Sequence, residues 1–333
     1  MKKWTVFALV MLLSVLSACS GDDSKSDQTS NAPDKSSDRT IKIQDAMGTQ
    51  TIEGTPKKIV VLEWWYAEHL LALGIQPAGV PDIDSYNDWI NLDTDLAGSV
   101  QDVGTRQEPN LEAISRLNPD LIIAAKFRHE KILDKLNQIA PTVTFAPYSK
   151  ENSQNLYQEM MDEFKTVAKI VDKEDVANQK INELNGYFDK QKQRLADAGL
   201  AGKEYIATLA FSSQNSPTLR MYTENSIVSQ VMKRLGFENA FESEKHQPYG
   251  FATAGVEALQ NYQKKDMQFL YFVQKDDNIF ENQLKGNPVW EELSFVKAGH
   301  THQIPGDTPV FGGVLSAKVL AEELMKAMLE EER

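Results

Sequence analysis

The chain has 333 residues, of which 41% are hydrophobic, 25% charged and 9% aromatic. This balance is typical of a globular protein, and it argues against both a wholly disordered chain and a polytopic membrane protein. At about 100–200 residues per domain, the length predicts two domains. Acidic side chains outnumber basic ones by 48 to 35, so the net charge is −13. Because nucleic-acid binding depends on basic surfaces, the composition argues against a nucleic-acid partner.

The N-terminus has the features of a secretory signal. Two lysines precede an apolar run at Trp4–Leu16, which is shorter than the roughly 20 residues that span a bilayer. The run ends in Leu16-Ser17-Ala18-Cys19, which resembles the lipobox of bacterial lipoproteins. We expect residues 1–18 to be a lipoprotein signal peptide and Cys19 to be the acylated first residue. The alternative is a secretory signal with an incidental cysteine. As the only cysteine, Cys19 leaves no intramolecular disulfide and no cysteine-based zinc site.

Residues 19–39 have the composition of a disordered tether. Residues 20–39 contain six Ser and five Asp, and Ala32 is their only aliphatic side chain. Such a segment cannot bury enough apolar surface to offset the entropy of ordering it. We therefore expect the folded part to be held on the outer face of the bacterial cytoplasmic membrane by its lipid anchor.

From about Thr40 the pattern is one of alternating strands and helices. Lys58–Leu62 is a short apolar run, typical of a buried parallel strand, and Tyr66–Leu73 has the pattern of a helix that stops at Gly74. The alternation continues with strands at Pro77–Val80, Asp120–Ala125 and Thr142–Ala146 and helices at Asn110–Leu117 and His129–Ile139. This alternation favours a parallel sheet, so residues 40–150 are predicted to form an N-terminal α/β lobe.

Residues 151–199 have no strand pattern. Apolar side chains recur at helical spacing on both sides of a break near Val171–Lys173, which predicts two helices. The second helix, of about 24 residues, would be about 36 Å long and could join two lobes. The alternative is an ordinary peripheral helix.

Residues 200–333 return to the α/β pattern and are predicted to form a C-terminal lobe. We expect strands at Tyr205–Ser212, Leu219–Tyr222 and Met267–Gln274 and helices at Ser226–Leu235, Val256–Tyr262 and Ser316–Met328. The segment Leu111-Glu112-Ala113-Ile114 is matched by Val256-Glu257-Ala258-Leu259, and each precedes a strand. The predicted fold class is therefore α/β, with two Rossmann-like lobes of parallel sheet joined by a single long helix and a ligand cleft between them.

Catalytic motifs are absent from the sequence. It contains no Gly-x-Ser-x-Gly elbow, no Walker A loop, no Gly-x-Gly-x-x-Gly fingerprint and no His-Glu-x-x-His pair. We therefore predict that the chain is not an enzyme. His300 and His302 would share one face of a strand, as a metal-binding pair would, but the sequence supplies no third ligand. Solvated strand histidines are the simpler interpretation.

Cationic and aromatic side chains follow the predicted strands at their carboxyl ends, where ligands bind in parallel α/β folds. Trp64-Trp65-Tyr66 follows one strand and Lys126-Phe127-Arg128 follows another. Arg106 lies in a loop before a helix, and Arg220 and Tyr222 lie on a strand of the second half. Arginine suits bidentate capture of a carboxylate or another oxyanion. We predict that these nine residues bind the ligand, although each arginine alone could be an ordinary surface residue.

Glu112 and Glu257 are equivalent acids in the two predicted lobes. Each lies in the first turn of a predicted helix, where an acid gains about 0.3–1 kcal/mol from the helix dipole. That contribution is enough to explain either residue alone. Their equivalent placement also offers two symmetric carboxylates for docking to a two-fold partner.

The most specific segment is Asp102-Val103-Gly104-Thr105-Arg106-Gln107-Glu108-Pro109-Asn110-Leu111-Glu112. With the lipobox, the tether and the two lobes on a long helix, it resembles iron–siderophore binding lipoproteins. These are the substrate-binding subunits of ATP-driven importers, of the ferric hydroxamate and cobalamin type, called class III periplasmic binding proteins. The resemblance covers nearly all of residues 40–328. It extends to Asn118-Pro119-Asp120-Leu121-Ile122-Ile123, Arg220-Met221-Tyr222 and Phe311-Gly312-Gly313.

The resemblance implies roles for several residues. Arg106 would contact the iron-chelating oxygens, with Phe127 and Arg128 in the same cleft. Glu112 would pair with an arginine of the permease, and so would Glu257, on a looser motif. The ligand would be a ferric siderophore whose own oxygens hold the iron, with no cofactor and no metal ligand from the protein. The partner would be a two-fold ABC permease with a cytoplasmic ATPase, and the binding protein would be a monomer.

The chemical type of the ligand is less constrained. Several arginines favour an anionic complex, such as a citrate-based hydroxamate or ferric citrate, over a neutral trihydroxamate. A catecholate complex stays open, and haem and cobalamin are less favoured. The alternative function is a surface lipoprotein that binds bare zinc or manganese, which needs a closed set of histidine and carboxylate ligands. A surface-attached hydrolase is a third alternative, but it would need a nucleophile motif, which the sequence lacks.

Overall fold

The computed structural model describes residues 39–329. The predictions of a signal peptide at residues 1–18, of lipidation at Cys19 and of a tether up to residue 38 lie outside the described residues. Arg39, the predicted end of the tether, is held by the fold. Its guanidinium donates hydrogen bonds to the carbonyl oxygens of Lys169 and Ile170, with Nη1 3.0 Å from the oxygen of Ile170. Arg39 therefore belongs to the folded part, one residue before the predicted boundary.

An antiparallel hairpin that the sequence analysis did not predict opens the described part. It consists of β1 (Thr40–Asp45) and β2 (Gly48–Glu53), and only Ile43 and Ile52 bury their side chains. Asp45 accepts a hydrogen bond from the backbone N–H of Thr144 at 2.9 Å, which ties the hairpin to the first sheet. Most of its side chains are polar, so no apolar run marked it in the sequence.

The first sheet lies within residues 40–150, called the first lobe below. Its strands are β3 (Ile59–Val61), β4 (Gly79–Val80), β5 (Gln101–Asp102), β6 (Leu121–Ala125) and β7 (Thr142–Phe145). All five run parallel, as predicted, although β5 was not among the predicted strands. Their order in the sheet is β5-β4-β3-β6-β7. The central strands β3 and β6 are wholly buried, because apolar layers cover both faces of a parallel sheet.

Five helices accompany this sheet. They are α1 (Trp64–Ala72), α2 (Ile83–Trp89), α3 (Leu111–Leu117), α4 (Lys126–His129) and α5 (Leu133–Ile139). Helix α1 ends at Ala72, two residues before Gly74. The φ of Gly74 is +76°, which lies in the left-handed region that glycine adopts without strain. The predicted helix at 129–139 is interrupted, because a 3₁₀ turn at Glu130–Ile132 separates α4 from α5.

Two long helices follow the first sheet, as the periodicity predicts. They are α6 (Leu156–Ile170) and α7 (Glu174–Asp197), and Asp172 between them has a φ of +59° that ends the first helix. Helix α7 has 24 residues, which corresponds to about 36 Å. It packs against α6 on one side and against helices of the C-terminal part on the other.

The second sheet lies within residues 200–329, called the second lobe below. Its strands are β8 (Glu204–Ser213), β9 (Ser216–Tyr222), β10 (Glu238–Asn239), β11 (Phe251–Ala254), β12 (Gln268–Val273) and β13 (Thr301–Pro305). The main order is β11-β9-β8-β12-β13, and β10 pairs with β8. Strands β8, β10, β12 and β13 are parallel, as predicted for β8 and β12, whereas β9 runs antiparallel to both of its neighbours, β8 and β11. The cause is a tight hairpin at Gln214 and Asn215, whose positive φ values of 50° and 60° suit a two-residue turn between β8 and β9.

The helices of the second lobe are α8 (Ile227–Leu235), α9 (Ile279–Asn282), α10 (Pro288–Glu291), α11 (Ser294–Lys297) and α12 (Val314–Leu329). Helices α8 and α12 match predicted elements, whereas Val256–Asn261 is a 3₁₀ helix. Helix α12 packs against α7 and α8 and also against α1 of the first lobe. One buried apolar cluster therefore runs from Ile43 to Met328 across both lobes. Within residues 39–329, no helix combines the length and apolar character that a membrane crossing requires.

Candidate ligand-binding cleft

A cavity of about 380 Å³ lies between the two lobes. On the first lobe it borders the carboxyl ends of β3 and β6, where the parallel topology places ligand sites. On the second lobe it borders β8, β9, β11 and the loop before α12. The lining residues are Trp64, Trp65, Trp89, Ile90, Arg106, Phe127, Arg128, Tyr148, Leu209, Arg220, Tyr249, Phe251, Gly306, Thr308, Pro309, Val310 and Phe311.

Arg106 is held in place at one end of its guanidinium. The carboxylate of Asp82 accepts hydrogen bonds from the backbone N–H of Arg106 at 2.8 Å and from Nε at 3.3 Å. The guanidinium carbon lies 3.5 Å from the centre of the Trp64 ring, which is a cation–π contact. Nε is thus anchored, and among residues 39–329 neither terminal nitrogen of Arg106 donates a hydrogen bond to the protein.

The loop that carries Arg106 is fixed from two sides. Gly104 has a φ of +92°, and a Cβ there would lie 2.8 Å from the backbone nitrogen of Asn110, so only glycine fits. The buried ring of His129 accepts from Ala125 N–H at Nδ1 and donates from Nε2 to the carbonyl oxygen of Arg106 at 2.9 Å. Burial lowers the pKa of His129 to about 4, so its ring is neutral and can bridge in this way at neutral pH.

Arg128 is held in the same manner by a different acid. Its Nε donates to the carboxylate of Glu63, a residue whose side chain is fully buried at the start of α1. The guanidinium carbon lies 4.9 Å from the centre of the Phe127 ring. Burial raises the pKa of Glu63 to about 7, and the nearby Arg128 opposes part of that rise.

Arg220 is the cationic group that the second lobe contributes. It lies on β9 opposite Leu209, and its guanidinium carbon is 4.9 Å from the ring of Phe251 and 5.1 Å from that of Phe211. Within residues 39–329, no carboxylate forms an ion pair with it. The three arginines outnumber the two anchoring acids, Asp82 and Glu63, so the cleft is positively charged on a chain whose net charge is −13.

Aromatic side chains form one wall of the cleft across both lobes. Trp65 stacks on Phe127 with an interplanar angle of 11° and a centroid distance of 6.4 Å. Phe127 meets the Tyr148 ring at 4.9 Å, and Tyr148 meets Tyr249 of the second lobe at 4.6 Å. Phe127 and Tyr249 are 40% and 47% exposed, which is unusual for large aromatic residues and is typical of a binding surface.

Three of the nine predicted cleft residues lie elsewhere, which corrects the prediction. Tyr66 and Tyr222 are 0% and 1% exposed, because both side chains point into the core. Lys126 lines a neighbouring cavity of about 580 Å³ and lies 3.8 Å from Glu130. The other six residues line the cleft, namely Arg106, Arg128, Arg220, Trp64, Trp65 and Phe127.

Several lining residues were missed by sequence reasoning. Tyr148 follows the carboxyl end of β7, so the rule that identified Trp64 and Phe127 would have found it. Tyr249 and Phe251 belong to β11 and the turn before it, a strand of four residues that has no recognisable pattern. Phe311 was recognised only as part of a family-like loop, and Trp89 ends a helix that was not predicted.

The predicted histidine pair is hydrogen-bonded to the protein. His300 Nδ1 lies 2.8 Å from the carbonyl oxygen of Lys265. His302 has Nδ1 at 3.0 Å from the carbonyl oxygen of Ala327 and Nε2 at 2.8 Å from Oε1 of Gln268. Both nitrogens of His302 are thus engaged, so the two rings are not simply solvated. Across residues 39–329, no group of three or more His, Cys, Asp or Glu side chains is arranged to hold a metal ion.

The two acids predicted to dock a partner are exposed on their respective lobes. Glu112 lies in the first turn of α3, with its side chain 82% exposed and 2.6 Å from Arg116 one turn later. Glu257 lies in the first turn of the 3₁₀ helix of the second lobe and is also exposed. Neither residue lines the cleft.

A buried acid connects the lobes beneath the cleft. Glu68 of α1 is 2% exposed, and its carboxylate accepts hydrogen bonds from the backbone N–H and the hydroxyl of Ser316 at 2.7 and 2.5 Å. It thereby caps the N-terminus of α12, which leaves unpaired N–H groups as every helix does. The loop from Pro309 to Gly313, which carries Phe311 into the cleft, is held at this point.

Two α/β lobes with a half-open cleft between them, lined by arginines and aromatic rings, define a two-lobed ligand-binding protein. The sequence matches the family described as "Periplasmic binding protein" over residues 59–308. The chain therefore belongs to the periplasmic binding protein family. This confirms the family resemblance of the sequence.

Individual relatives cover almost the whole chain. The Fe(3+)-citrate-binding protein YfmC of Bacillus subtilis is 32% identical, with 96% of this chain and 94% of the relative aligned. The probable siderophore-binding lipoprotein YfiY of the same organism is 33% identical, with 96% and 95% aligned. Among solved structures, Fe3+–Desferal-bound FhuD from Vibrio cholerae superimposes with a TM-score of 0.72 at 31% identity, covering 82% of this chain and 98% of that one. These likenesses confirm the two-lobed α/β fold class.

Proposed function

We propose that this protein captures an anionic ferric siderophore in the cleft and delivers it intact to an ABC importer. The observation that carries the proposal is the convergence of Arg106, Arg128 and Arg220 from both lobes on one aromatic-lined cavity. Relatives that align over nearly the full chain are an Fe(3+)-citrate-binding protein and a probable siderophore-binding lipoprotein, which supports the same ligand class.

The arrangement of charge favours a ligand that carries carboxylates. Arg106 and Arg128 are each anchored through Nε, so each offers its two terminal nitrogens as a planar fork. Such a fork matches the two oxygens of a carboxylate. Arg220 adds a positive charge that no acid of residues 39–329 neutralises. A citrate-based chelate supplies carboxylate oxygens to all three, whereas a neutral trihydroxamate does not.

The aromatic wall suits the body of such a chelate. Trp65, Phe127, Tyr148 and Tyr249 offer rigid apolar surface that loses little entropy on binding. The protein would contribute no bond to the iron and would perform no chemistry on the ligand. A bare zinc or manganese ion would instead need several convergent His or carboxylate ligands, and the acids nearest the cleft, Asp82 and Glu63, already bind arginines.

The segments of the chain would each have a part in this function. Residues 1–18 would be removed as a signal peptide, and lipidated Cys19 with the following tether would hold the protein on the outer face of the cytoplasmic membrane. Residues 40–150 and 200–333 would be the two lobes, with 151–199 as the helical connection. The protein would act as a monomer.

Delivery would involve Glu112 and Glu257. Each is exposed on its own lobe and outside the cleft, so a two-fold permease could meet both with equivalent arginines while the ligand stays bound. Charge pairs of this kind mainly set orientation and the rate of encounter.

A tryptophan-fluorescence titration tests the ligand class, because Trp64, Trp65 and Trp89 line the cleft. The panel comprises ferric citrate, a ferric citrate-based hydroxamate, a neutral ferric trihydroxamate, a ferric catecholate, haem, Zn²⁺ and Mn²⁺. Gallium complexes of the same chelators repeat each titration without the strong visible absorption of iron. We expect the tightest saturable binding for an anionic citrate-type chelate. Tighter binding of bare Zn²⁺ or Mn²⁺ would contradict the proposal.

A further inference from the structure

Glu63 lies directly behind the cleft and has no exposed surface. One of its oxygens, Oε1, accepts the hydrogen bond from Nε of Arg128. The other, Oε2, is buried and has no hydrogen-bond partner among the described residues. An ionised oxygen without a partner in the interior is costly, whereas a protonated one is much less so. The cleft arginine is therefore held by an acid that is poorly suited to staying charged.

We propose that Glu63 matches the charge of the cleft to its ligand: it anchors Arg128 in the empty cleft and takes up a proton when an anionic ligand occupies the terminal nitrogens of that arginine. Glu63 is thus a positioning residue, which acts through Arg128 and does not touch the ligand. The inference rests on the proposed function, because it requires an anionic ligand in the cleft.

The surroundings of Glu63 support this role. Two cations and an acid of the cleft act on it, together with two tyrosines and a second buried acid. These groups are Arg128, Arg106, Asp82, Tyr66, Tyr148 and Glu163. Burial raises the pKa of Glu63 to about 7, and the two arginines offset only part of that effect. Burial also raises the pKa of both tyrosines, which keeps them neutral, and that of Glu163.

The proton step follows from electrostatics. In the empty cleft Glu63 is about half ionised at pH 7, because its pKa is about 7. A ligand carboxylate on the Nη atoms of Arg128 shares the positive charge that stabilises ionised Glu63, and it adds a negative charge nearby. Both effects raise the pKa of Glu63 further. A proton from solvent then joins the carboxylate, and the O–H bond forms at the partnerless Oε2.

The same linkage fixes the sign of the pH dependence. A group that binds a proton together with the ligand makes binding weaker as pH rises. If ligand binding raises the pKa of Glu63 by about one unit, the affinity falls about sixfold between pH 6.5 and pH 8.5. At pH 7 the same shift corresponds to an uptake of about 0.4 proton per ligand bound.

Isothermal titration calorimetry in phosphate and in Tris at pH 7 measures this uptake, because the two buffers differ in their enthalpy of ionisation. The probe is ferric citrate, and the wild-type protein is compared with Glu63→Gln, which keeps an oxygen for Arg128 but cannot be ionised. Glu159→Gln is the matched control. Burial raises the pKa of Glu159 to about 7 as well, but this residue lines the neighbouring cavity and contacts no cleft arginine. Glu163→Gln tests the second buried acid.

We expect proton uptake and the affinity loss at high pH in wild type, in Glu159→Gln and in Glu163→Gln. In Glu63→Gln the uptake contributed by the protein disappears, and ferric citrate binds as tightly at pH 8.5 as at pH 6.5. Equal proton uptake in wild type and Glu63→Gln would overturn the inference while leaving the proposed function intact. Failure of the wild type to bind any anionic ferric chelate would overturn both.

Discussion

Replacing Arg220 by alanine should separate ligand capture from stability. The guanidinium lies against the rings of Phe251 and Phe211 at 4.9 and 5.1 Å and has no acid partner within residues 39–329. Its removal therefore leaves no buried carboxylate without an ion-pair partner. The loss of two partly exposed cation–π contacts lowers the free energy of unfolding by no more than about 1–2 kcal/mol.

The effect of Arg220→Ala on binding should be larger. A charge-assisted hydrogen bond to an anionic ligand contributes about 1.5–3 kcal/mol, which corresponds to an increase in Kd of about 10- to 150-fold. The assay is the fluorescence titration with ferric citrate, alongside thermal unfolding without ligand. Arg116→Ala is the control, because its side chain is 64% exposed on α3 and lies outside the cleft. An Arg220→Ala variant with the Kd of the wild type would refute the placement of the ligand between the lobes.

Three further predictions concern other parts of the chain. Glu68→Ala leaves the backbone N–H and the hydroxyl of Ser316 without their acceptor in the interior. The free energy of unfolding, measured by denaturant titration, should therefore fall by about 2–3 kcal/mol. An unchanged unfolding midpoint would contradict the capping role of Glu68. The double variant Glu112→Ala, Glu257→Ala should bind ferric citrate with unchanged affinity but reduce iron uptake by cells. Lysine at both positions should reduce iron uptake further, because like charges would then face each other. Normal iron uptake in these variants would exclude docking through these acids. Cys19→Ala should move the protein out of the membrane fraction without changing its unfolding, and full retention in that fraction would argue against lipidation.

The elements that sequence alone predicted have strong local signals. Leu121–Ala125 is an unbroken apolar run and forms a strand buried along its whole length. The break between α6 and α7 lies where the helical spacing stops, at a residue with positive φ. By contrast, the antiparallel course of β9 depends on the turn at Gln214 and Asn215, which looks like an ordinary polar connection in the sequence.

The composition of the cleft was predictable only in part, because neighbouring side chains point in different directions. Successive residues of a helix are about 100° apart, so Trp65 reaches the cleft while Tyr66 enters the core. Direction alone does not explain Tyr222, because it shares a strand face with Arg220. Its ring is nevertheless buried, and it packs on Phe272 with ring centroids 6.0 Å apart. Glu63 has no signal at all in the sequence, since its role depends on burial behind Arg128.

Native mass spectrometry of the protein mixed with ferric citrate, with a ferric citrate-based hydroxamate and with free Fe³⁺ tests the central claim most directly. In the proposed complex, the arginines and aromatic rings of the cleft would contact a chelate whose own ligands hold the iron. We predict a complex whose added mass is that of one intact anionic ferric chelate per protein chain, and Arg220→Ala should reduce its abundance under the same conditions. An added mass of iron without chelator, or no complex with any anionic ferric chelate, would contradict the account.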